Sequence, residues 1–369
     1  MKYIHELKNW PNFTFDNDKI QPLLNEVKQQ QAFLNGKMAM LGLEDREKIN
    51  LEILSLDVVT SSAIEGENLN YDSVRSSIAQ KLGLDIGGLV APDNNADGII
   101  EITLEATQNY QQPLTSARLF DWHGALFPTG RSGLYKINVA AWRKDIMQVV
   151  SGVYGKQKIH FEAVAPEKLN DEMEQFLNWF NSEAEVDLIQ KAAIAHLWFV
   201  TIHPFDDGNG RIARNISDLI LARSDKSRLR FYSLSTYIER NKKTYYRILE
   251  TTQRGNLDIT GWLNWFLESL SEAIDSTDEI INKILQKTQF WQRANQYQIN
   301  DRQRKVINLM LDDFRGKMTT SKYAKLTKLS QDTALRDIQK LIEYCLMEQE
   351  EKSGRSTSYR LVMPKNRLN

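Results

Sequence analysis

The chain is almost without cysteine, and it has no long apolar run, no internal repeat and no low-complexity segment. Its single thiol, Cys345, excludes an internal disulfide and any cysteine-based zinc cluster. Cys345 continues the apolar stripe of its helix and is expected in a core. No apolar run approaches the length of a membrane span, and the opening Met-Lys-Tyr-Ile-His-Glu-Leu lacks the apolar centre of a signal peptide, so a cytoplasmic protein with no membrane partner is expected. Net charge is also nearly absent: 47 Lys and Arg against 48 Asp and Glu leave −1. That charge is unevenly spread, because 15 Lys and Arg against 8 Asp and Glu put +7 on residues 302–369 and therefore −8 on residues 1–301. The basic tail suits an acidic partner. The 369 residues, 41% hydrophobic and 26% charged, leave room for two or three ordinary globular domains.

What is present is concentrated in one run, His203-Pro204-Phe205-Asp206-Asp207-Gly208-Asn209-Gly210-Arg211-Ile212-Ala213-Arg214. The apolar segment Ala192 to Ile202 precedes it, and Ile212, Ile216 and Leu219 follow at helical spacing, so the run reads as a loop entering a helix at its N-terminus. Helix N-termini attract anions, and Gly208 and Gly210 let backbone N–H groups approach a phosphate closely. Arg211 and Arg214 are three apart, so both guanidinium forks can reach the same end of the helix. The string from Gly208 to Ala213 also satisfies the loose dinucleotide pattern G-x-G-x-x-G/A. Against it, five residues separate the last apolar residue from the first glycine, and no acidic residue ends the next candidate strand, Leu229 to Leu234.

The run resembles the Fic family signature His-x-Phe-x-Asp/Glu-Gly-Asn-Gly-Arg-x-x-Arg at every fixed position. The resemblance implies an enzyme in which a histidine deprotonates a protein hydroxyl that then attacks the α-phosphate of ATP. It places His203 as general base, Asp207 as ligand of Mg²⁺ or Mn²⁺, Gly208, Asn209 and Gly210 around the α- and β-phosphates, and Arg211 and Arg214 on the outer phosphates, with Phe205 anchoring the loop. The chemistry of the side chains agrees: a histidine of ordinary pKa about 6.5 suits a base at neutral pH, and a carboxylate suits Mg²⁺. Arginines suit the charge that develops on leaving pyrophosphate.

Two strand-like stretches, Ile146 to Val150 and Lys158 to Val164, flank a turn with two glycines and read as a hairpin. Its place before the motif resembles the Fic flap, on which a target protein docks as an added strand, with Val150, Ser151 and Gly152 at its edge. Further on, Tyr245, Tyr246 and Gln253 fall where the family contacts adenosine. Gln253 and Asn256 depart from the Asn and Asp common there. Trp262, Trp265 and Phe266 read as core.

The segment Ser61-Ser62-Ala63-Ile64-Glu65-Gly66-Glu67 closes a helical stretch that runs from about Asp45, with Gly66 as a natural cap. Glu65 then sits at the negative end of a helix dipole, where a carboxylate needs a cation nearby. The segment resembles the Fic inhibitory motif Ser/Thr-x-x-x-Glu-Gly/Asn. Ser61 and Glu65 stand one helical turn apart, and the resemblance implies that Glu65 pairs with Arg214 and occupies the place of the γ-phosphate. In some relatives that glutamate instead positions a water that removes AMP, so transferase, hydrolase or both remain open.

Beyond a helical stretch near Trp291 to Asn300, residues Arg302 to Leu311, Thr319 to Lys328 and Ser330 to Cys345 read as three short helices, and Met347 to Leu361 as a hairpin. Together they resemble a winged helix. Were it to bind DNA, Gln331, Thr333, Arg336, Gln339 and Lys340 would face it from the third helix, and Lys352 and Arg355 from the wing. The expected architecture is mainly α: an N-terminal helical domain over 1–85, set off by a loop at Leu84 to Asp97; a Fic core with its flap over 98–290; and a winged helix over 300–369. The expected function is an auto-inhibited protein adenylyltransferase acting on a target or on itself, with a homodimer as a partner state. The alternative is a DNA-binding regulator whose core senses nucleotide.

Overall fold

The computed structural model describes residues 3–84, 96–151, 158–183, 186–311, 314, 316–350 and 357–363. Most of the expected interdomain loop (85–95), Gly152 of the flap, and Lys352 and Arg355 of the hairpin tip lie outside the described residues. The chain divides into two compact units, Met1–Asp278 and Glu279–Asn369.

In the first unit, α1 (Asn17–Ala39) starts at Asp16, whose carboxylate accepts the N–H groups of Asp18 and Lys19. It buries Ile20, Leu24, Val27, Leu34 and Met38, a stripe at helical spacing. Next come α2 (Leu43–Ile64), α3 (Tyr71–Leu82), α4 (Asp97–Gln108) and α5 (Ser116–Leu126). The strands β1 (Arg131–Ser132) with β2 (Tyr135–Lys136), and β3 (Gln148–Ser151) with β4 (Lys158–Glu162), form two antiparallel pairs, the second carrying a bulge between Val149 and Val150. After α6 (Leu169–Asn181) comes α7 (Leu188–Ile202), which is buried from Ile189 to Ile202 and so lies at the centre of the unit. Against it packs α8 (Asn209–Asp225), burying Ile212, Ile216 and Leu219 as the spacing requires. Then follow α9 (Leu234–Arg240), α10 (Lys242–Gln253) and α11 (Thr260–Ala294), within which the two units divide. Trp262, Trp265 and Phe266 are buried, as core residues should be.

The expected flap strands are present but shifted, since Ile146 lies outside β3 and is exposed. The stretch Leu229 to Leu234 is not a strand. Its backbone is held by side chains instead, with Arg230 N–H donating to Asn50 Oδ1 at 2.7 Å, and Ser233 caps α9 through Thr236 N–H at 3.1 Å.

The second unit holds α12 (Asp301–Leu311), β5 (Met318–Thr319), α13 (Thr320–Thr327), α14 (Gln331–Glu343), β6 (Met347–Gln349) and β7 (Ser358–Leu361). The three strands form an antiparallel sheet in the order β5-β7-β6 over a core that includes Val306, Tyr323, Ile338, Leu341 and Tyr359. Cys345 is exposed, against expectation. Helix α14 ends before it, and Cys345 takes a left-handed backbone (φ 54°), which swings its side chain off the stripe that Ala334, Ile338 and Leu341 continue. No helix among the described residues is long and apolar enough to cross a membrane.

Candidate active site

The run His203–Arg214 is the connection between the two central helices. Helix α7 ends at His203 in the left-handed region (φ 53°, ψ 60°), and Gly208 (φ 81°) precedes α8. Asn209 shapes the loop between them: its Oδ1 accepts Phe205 N–H at 3.0 Å and its Nδ2 donates to Phe205 O at 2.8 Å. Both ends of that amide are thus engaged with the loop backbone, and the side chain expected at the phosphates is a loop clamp. Phe205 is fully buried and stacks on His123 with ring centres 4.2 Å apart. His123 Nδ1 accepts Ala140 N–H (3.1 Å), so its Nε2 carries the proton donated to Asp207 O (3.2 Å). Burial pushes His123 down to about 4, which keeps it neutral beneath the loop.

His203 donates Nδ1–H to Val200 O at 3.2 Å. A carbonyl can only accept, so Nε2 of the neutral ring keeps its lone pair. Burial, the largest influence, holds the His203 pKa below the ordinary histidine value; Arg143 acts in the same direction, while the Val200 bond, Glu65 and Asp207 oppose it. At neutral pH this favours the unprotonated ring, whose Nε2 has no hydrogen-bond partner among the described residues.

The first hydrogen bond of α8 runs from Ile212 N–H to Gly208 O (3.0 Å), so the N–H groups of Asn209, Gly210 and Arg211 precede its ladder at the positive end of the dipole. Arg214, 2% exposed, donates Nε–H to Ser61 Oγ (2.8 Å) and its Nη2 to Ser61 O (2.9 Å) and Glu65 Oε1 (2.8 Å). Arg211 donates to both oxygens of Glu67, at 3.0 Å each, and lies over the Phe127 ring. Arg214 Nη1 and Arg211 Nε are buried with no hydrogen-bond partner among the described residues. Two buried guanidinium groups with unanswered N–H groups at a helix N-terminus make a site for an oxyanion of several oxygens.

The carboxylates reach this site because of how α2 ends. Glu65 caps it, Gly66 turns left-handed (φ 89°), Gly66 N–H donates to Ala63 O (3.1 Å) and Glu67 N–H to Ser62 O (3.0 Å). This paired closure satisfies two helix carbonyls and requires a residue tolerant of positive φ at position 66. Gly210 completes the fit: a Cβ there would overlap Glu65 Oε1 and lie 3.2 Å from Arg214 Nη1.

Asp207 Oδ1 accepts Gly208 N–H at 2.6 Å, and Oδ2 accepts the hydroxyl of Ser132 on β1. Asp206 faces away, accepting Asn138 N–H at 2.7 Å. Among the described residues no group of three or more His, Cys, Asp or Glu could hold a metal ion.

The expected adenosine contacts separate. Tyr246 is 41% exposed, with its hydroxyl 3.4 Å from Ile64 O, at the end of α2. Tyr245 is buried, its hydroxyl 2.8 Å from His196 Nε2, while His196 Nδ1 lies 3.1 Å from Ser217 Oγ. Burial pushes His196 to about 3. Gln253 is buried too, donating to Thr201 Oγ1 at 3.2 Å. Of the three, Tyr246 alone is open to a ligand, because the helical face that carries Tyr245 and Gln253 turns into the core. On the β3–β4 hairpin, Val150 and Ile159 expose apolar side chains, and β4 is tied to α10 by Arg254, which donates to Ile159 O and His160 O at 3.0 Å each.

Sequence reasoning missed Glu67, Ser132, His123 and Arg143. Glu67 stood two residues past the Glu65 motif and was readable as a second carboxylate on the same turn; nothing local pointed to the other three.

Residues 113–221 match the Fic/DOC family, and residues 3–84 match a domain of unknown function, DUF4172. The chain therefore carries a Fic/DOC domain. It is 44% identical over 66 residues to protein adenylyltransferase fic-1 of Caenorhabditis elegans, 17% of this chain and 13% of the relative. It is 31% identical over 83 residues to a probable protein adenylyltransferase of Aquifex aeolicus, 22% of this chain and 23% of the relative. The chain thus spans well under a third of the length of these curated relatives. Its fold is similar to that of a Fic family protein from Desulfovibrio desulfuricans G20 (TM-score 0.57, 19% identity, 97% of this chain and 99% of that one). It is also similar to a Fic domain containing signaling protein from Bacteroides thetaiotaomicron (TM-score 0.50, 22% identity, 72% of this chain and 96% of that one).

Proposed function

We propose that the protein is an auto-inhibited adenylyltransferase that moves AMP from ATP to a hydroxyl side chain of a protein target or of itself. The observation that carries the reading is Arg214, buried at the start of α8 with one N–H unanswered, holding the carboxylate of Glu65 where a terminal phosphate would bind. His203 Nε2 takes the proton of the attacking hydroxyl. That oxygen bonds to the α-phosphorus, the bond from the α-phosphorus to the oxygen bridging the β-phosphate breaks, and pyrophosphate leaves with both electrons of that bond. Arg211 and Arg214 stabilise the charge on the leaving group. A lone carboxylate beside a phosphate site suits Mg²⁺ or Mn²⁺, which binds through few protein ligands and mostly through phosphate oxygens and water; Asp207 would hold it, and the ion supplies charge neutralisation at the α- and β-phosphates.

In the inhibited state Glu65 and Glu67 take one arginine each, so both must yield before the outer phosphates are gripped. The flap supplies an edge for the target, with Val150 and Ile159 as apolar contacts. The test is incubation with ATP labelled at the α-phosphate, comparing wild type with Glu65→Gly. Label on the protein or on a lysate protein, with none from ATP labelled at the γ-phosphate, supports transfer of AMP; nucleotide binding without transfer rejects it. The second reading, a DNA-binding regulator, is favoured by the outward placement of Gln331, Arg336, Gln339 and Lys340 on α14. Salt-sensitive binding of duplex DNA without transfer would support it.

A further inference from the structure

We propose that Arg143 is the positioning residue of this site, a single guanidinium that joins the backbone of the base His203 to both stems of the β3–β4 hairpin, so that docking on the hairpin and placement of the base are one event. The proposal rests on the transferase reading for its functional meaning and on geometry for its substance.

Arg143 lies between α5 and β3 and is 2% exposed. Its Nε donates to His203 O at 2.8 Å, and its Nη2 to Ile202 O at 3.4 Å and to Val164 O. Its Nη1 donates to Asp145 O at 2.8 Å, and its own backbone N–H donates to Pro204 O at 2.9 Å. A buried cation is costly unless its donors are answered, and here carbonyl oxygens answer them. Ile202 and His203 close α7, where carbonyls lack helical partners and the dipole is negative, so a cation there is favourable. Asp145 and Val164 are different in kind: they stand just before β3 and just after β4. A helix cap would need only the first pair and a hairpin anchor only the second. The planar fork of arginine reaches both, which the point charge of a lysine cannot do.

The geometry at His203 makes this matter. A non-glycine residue in the left-handed region needs its neighbours to hold it. Arg143 holds two successive carbonyls of that turn, His203 O with its side chain and Pro204 O with its backbone. A shift of the hairpin stems is therefore transmitted to the ring whose Nε2 must meet the incoming hydroxyl. The charged groups facing that ring are Arg143, Glu65 and Asp207.

The test uses the full chain with Arg143→Lys, which keeps the charge and loses the fork, and Arg143→Gln, which loses both. Three readouts are needed: self-labelling by α-labelled ATP in the Glu65→Gly background, the titration of the His203 ring followed by ¹H–¹⁵N NMR without nucleotide, and amide exchange. Expected for Arg143→Lys is a tenfold or greater loss of maximal labelling rate with KM for ATP within twofold. Amide exchange should rise at Gln148–Ser151 and Phe205–Gly208 together, while thermal unfolding stays cooperative. Expected for Arg143→Gln is, in addition, a His203 midpoint moved to higher pH, because removing a cation favours the imidazolium. Lysine restoring full labelling, exchange rising at one of the two segments alone, or a His203 midpoint unmoved in Arg143→Gln would each overturn the proposal. If Glu65→Gly labels nothing, the transferase reading fails while the NMR and exchange readouts still decide whether Arg143 couples base and hairpin.

Discussion

Arg211 donates to both carboxylate oxygens of Glu67 at 3.0 Å, two residues beyond the Glu65 carboxylate that Arg214 holds at 2.8 Å. The two pairs are unequal, since Glu65 is 31% exposed and Glu67 51%. Water screens the half-exposed Glu67 carboxylate and weakens its hold on the buried Arg211, so Glu67→Gln should raise labelling by no more than severalfold. Glu65→Gly should raise it much further, and the double variant further still. Glu65→Gly combined with Arg214→Ala should lose the gain, because the freed arginine is what the first change makes available. Labelling rates across a range of ATP concentrations, with metal present, check this; a Glu65→Gly protein no faster than wild type would end the inhibitory reading. The Glu65 variant should also melt lower, since Arg214 is left buried with fewer partners.

Gly210→Ala tests the same contact from the other side. The added Cβ overlaps Glu65 Oε1 and crowds Arg214 Nη1, so the pair must separate. Labelling should nevertheless fall, at least tenfold in the Glu65→Gly background, because the methyl stands where the phosphate approaches the backbone. Weakened ATP binding by calorimetry should accompany it; unchanged affinity would place the phosphate elsewhere.

His203→Ala should lower the transfer rate by about 10² to 10⁴ while leaving ATP affinity nearly intact, since the phosphates are held by other groups. The pH profile follows from the sign of the His203 shift. A base works when unprotonated, and burial holds this histidine below 6.5. The rate in the Glu65→Gly background should therefore still exceed half its plateau at pH 6.5 and pass through its midpoint only below that. A rate already halved at pH 7 would contradict a His203 pKa held below 6.5.

Asp207→Ala should abolish metal dependence and most of the rate together, and EDTA should stop transfer in the parent. Ser132→Ala, which frees Asp207 Oδ2, should keep the requirement for metal while shifting the Mg²⁺ concentration for half-maximal rate. Transfer that persists in EDTA would remove Asp207 from the role of metal ligand.

The sequence by itself determined the central helix pair, the loop between them and the turn that ends α2. These depend on neighbours within a few residues: apolar spacing sets the buried face of α8, and the Glu65-Gly66-Glu67 turn closes through bonds to Ser62 and Ala63. Even locally there was a gap, since nothing in the letters told that Asn209 turns its amide back onto Phe205. Tertiary packing decided the rest. It decided that Tyr245 and Gln253 face the core while Tyr246 faces out, that Cys345 leaves its stripe once the helix ends, and that residues 229–233 run as irregular chain into α9. Periodicity shows which face of an element is buried but carries no address for its partner. The pairing of Glu67 with Arg211, 144 residues apart, and the reach of Arg143 to His203, 60 residues on, arise only when separate elements pack and bring buried charge to the groups that can answer it.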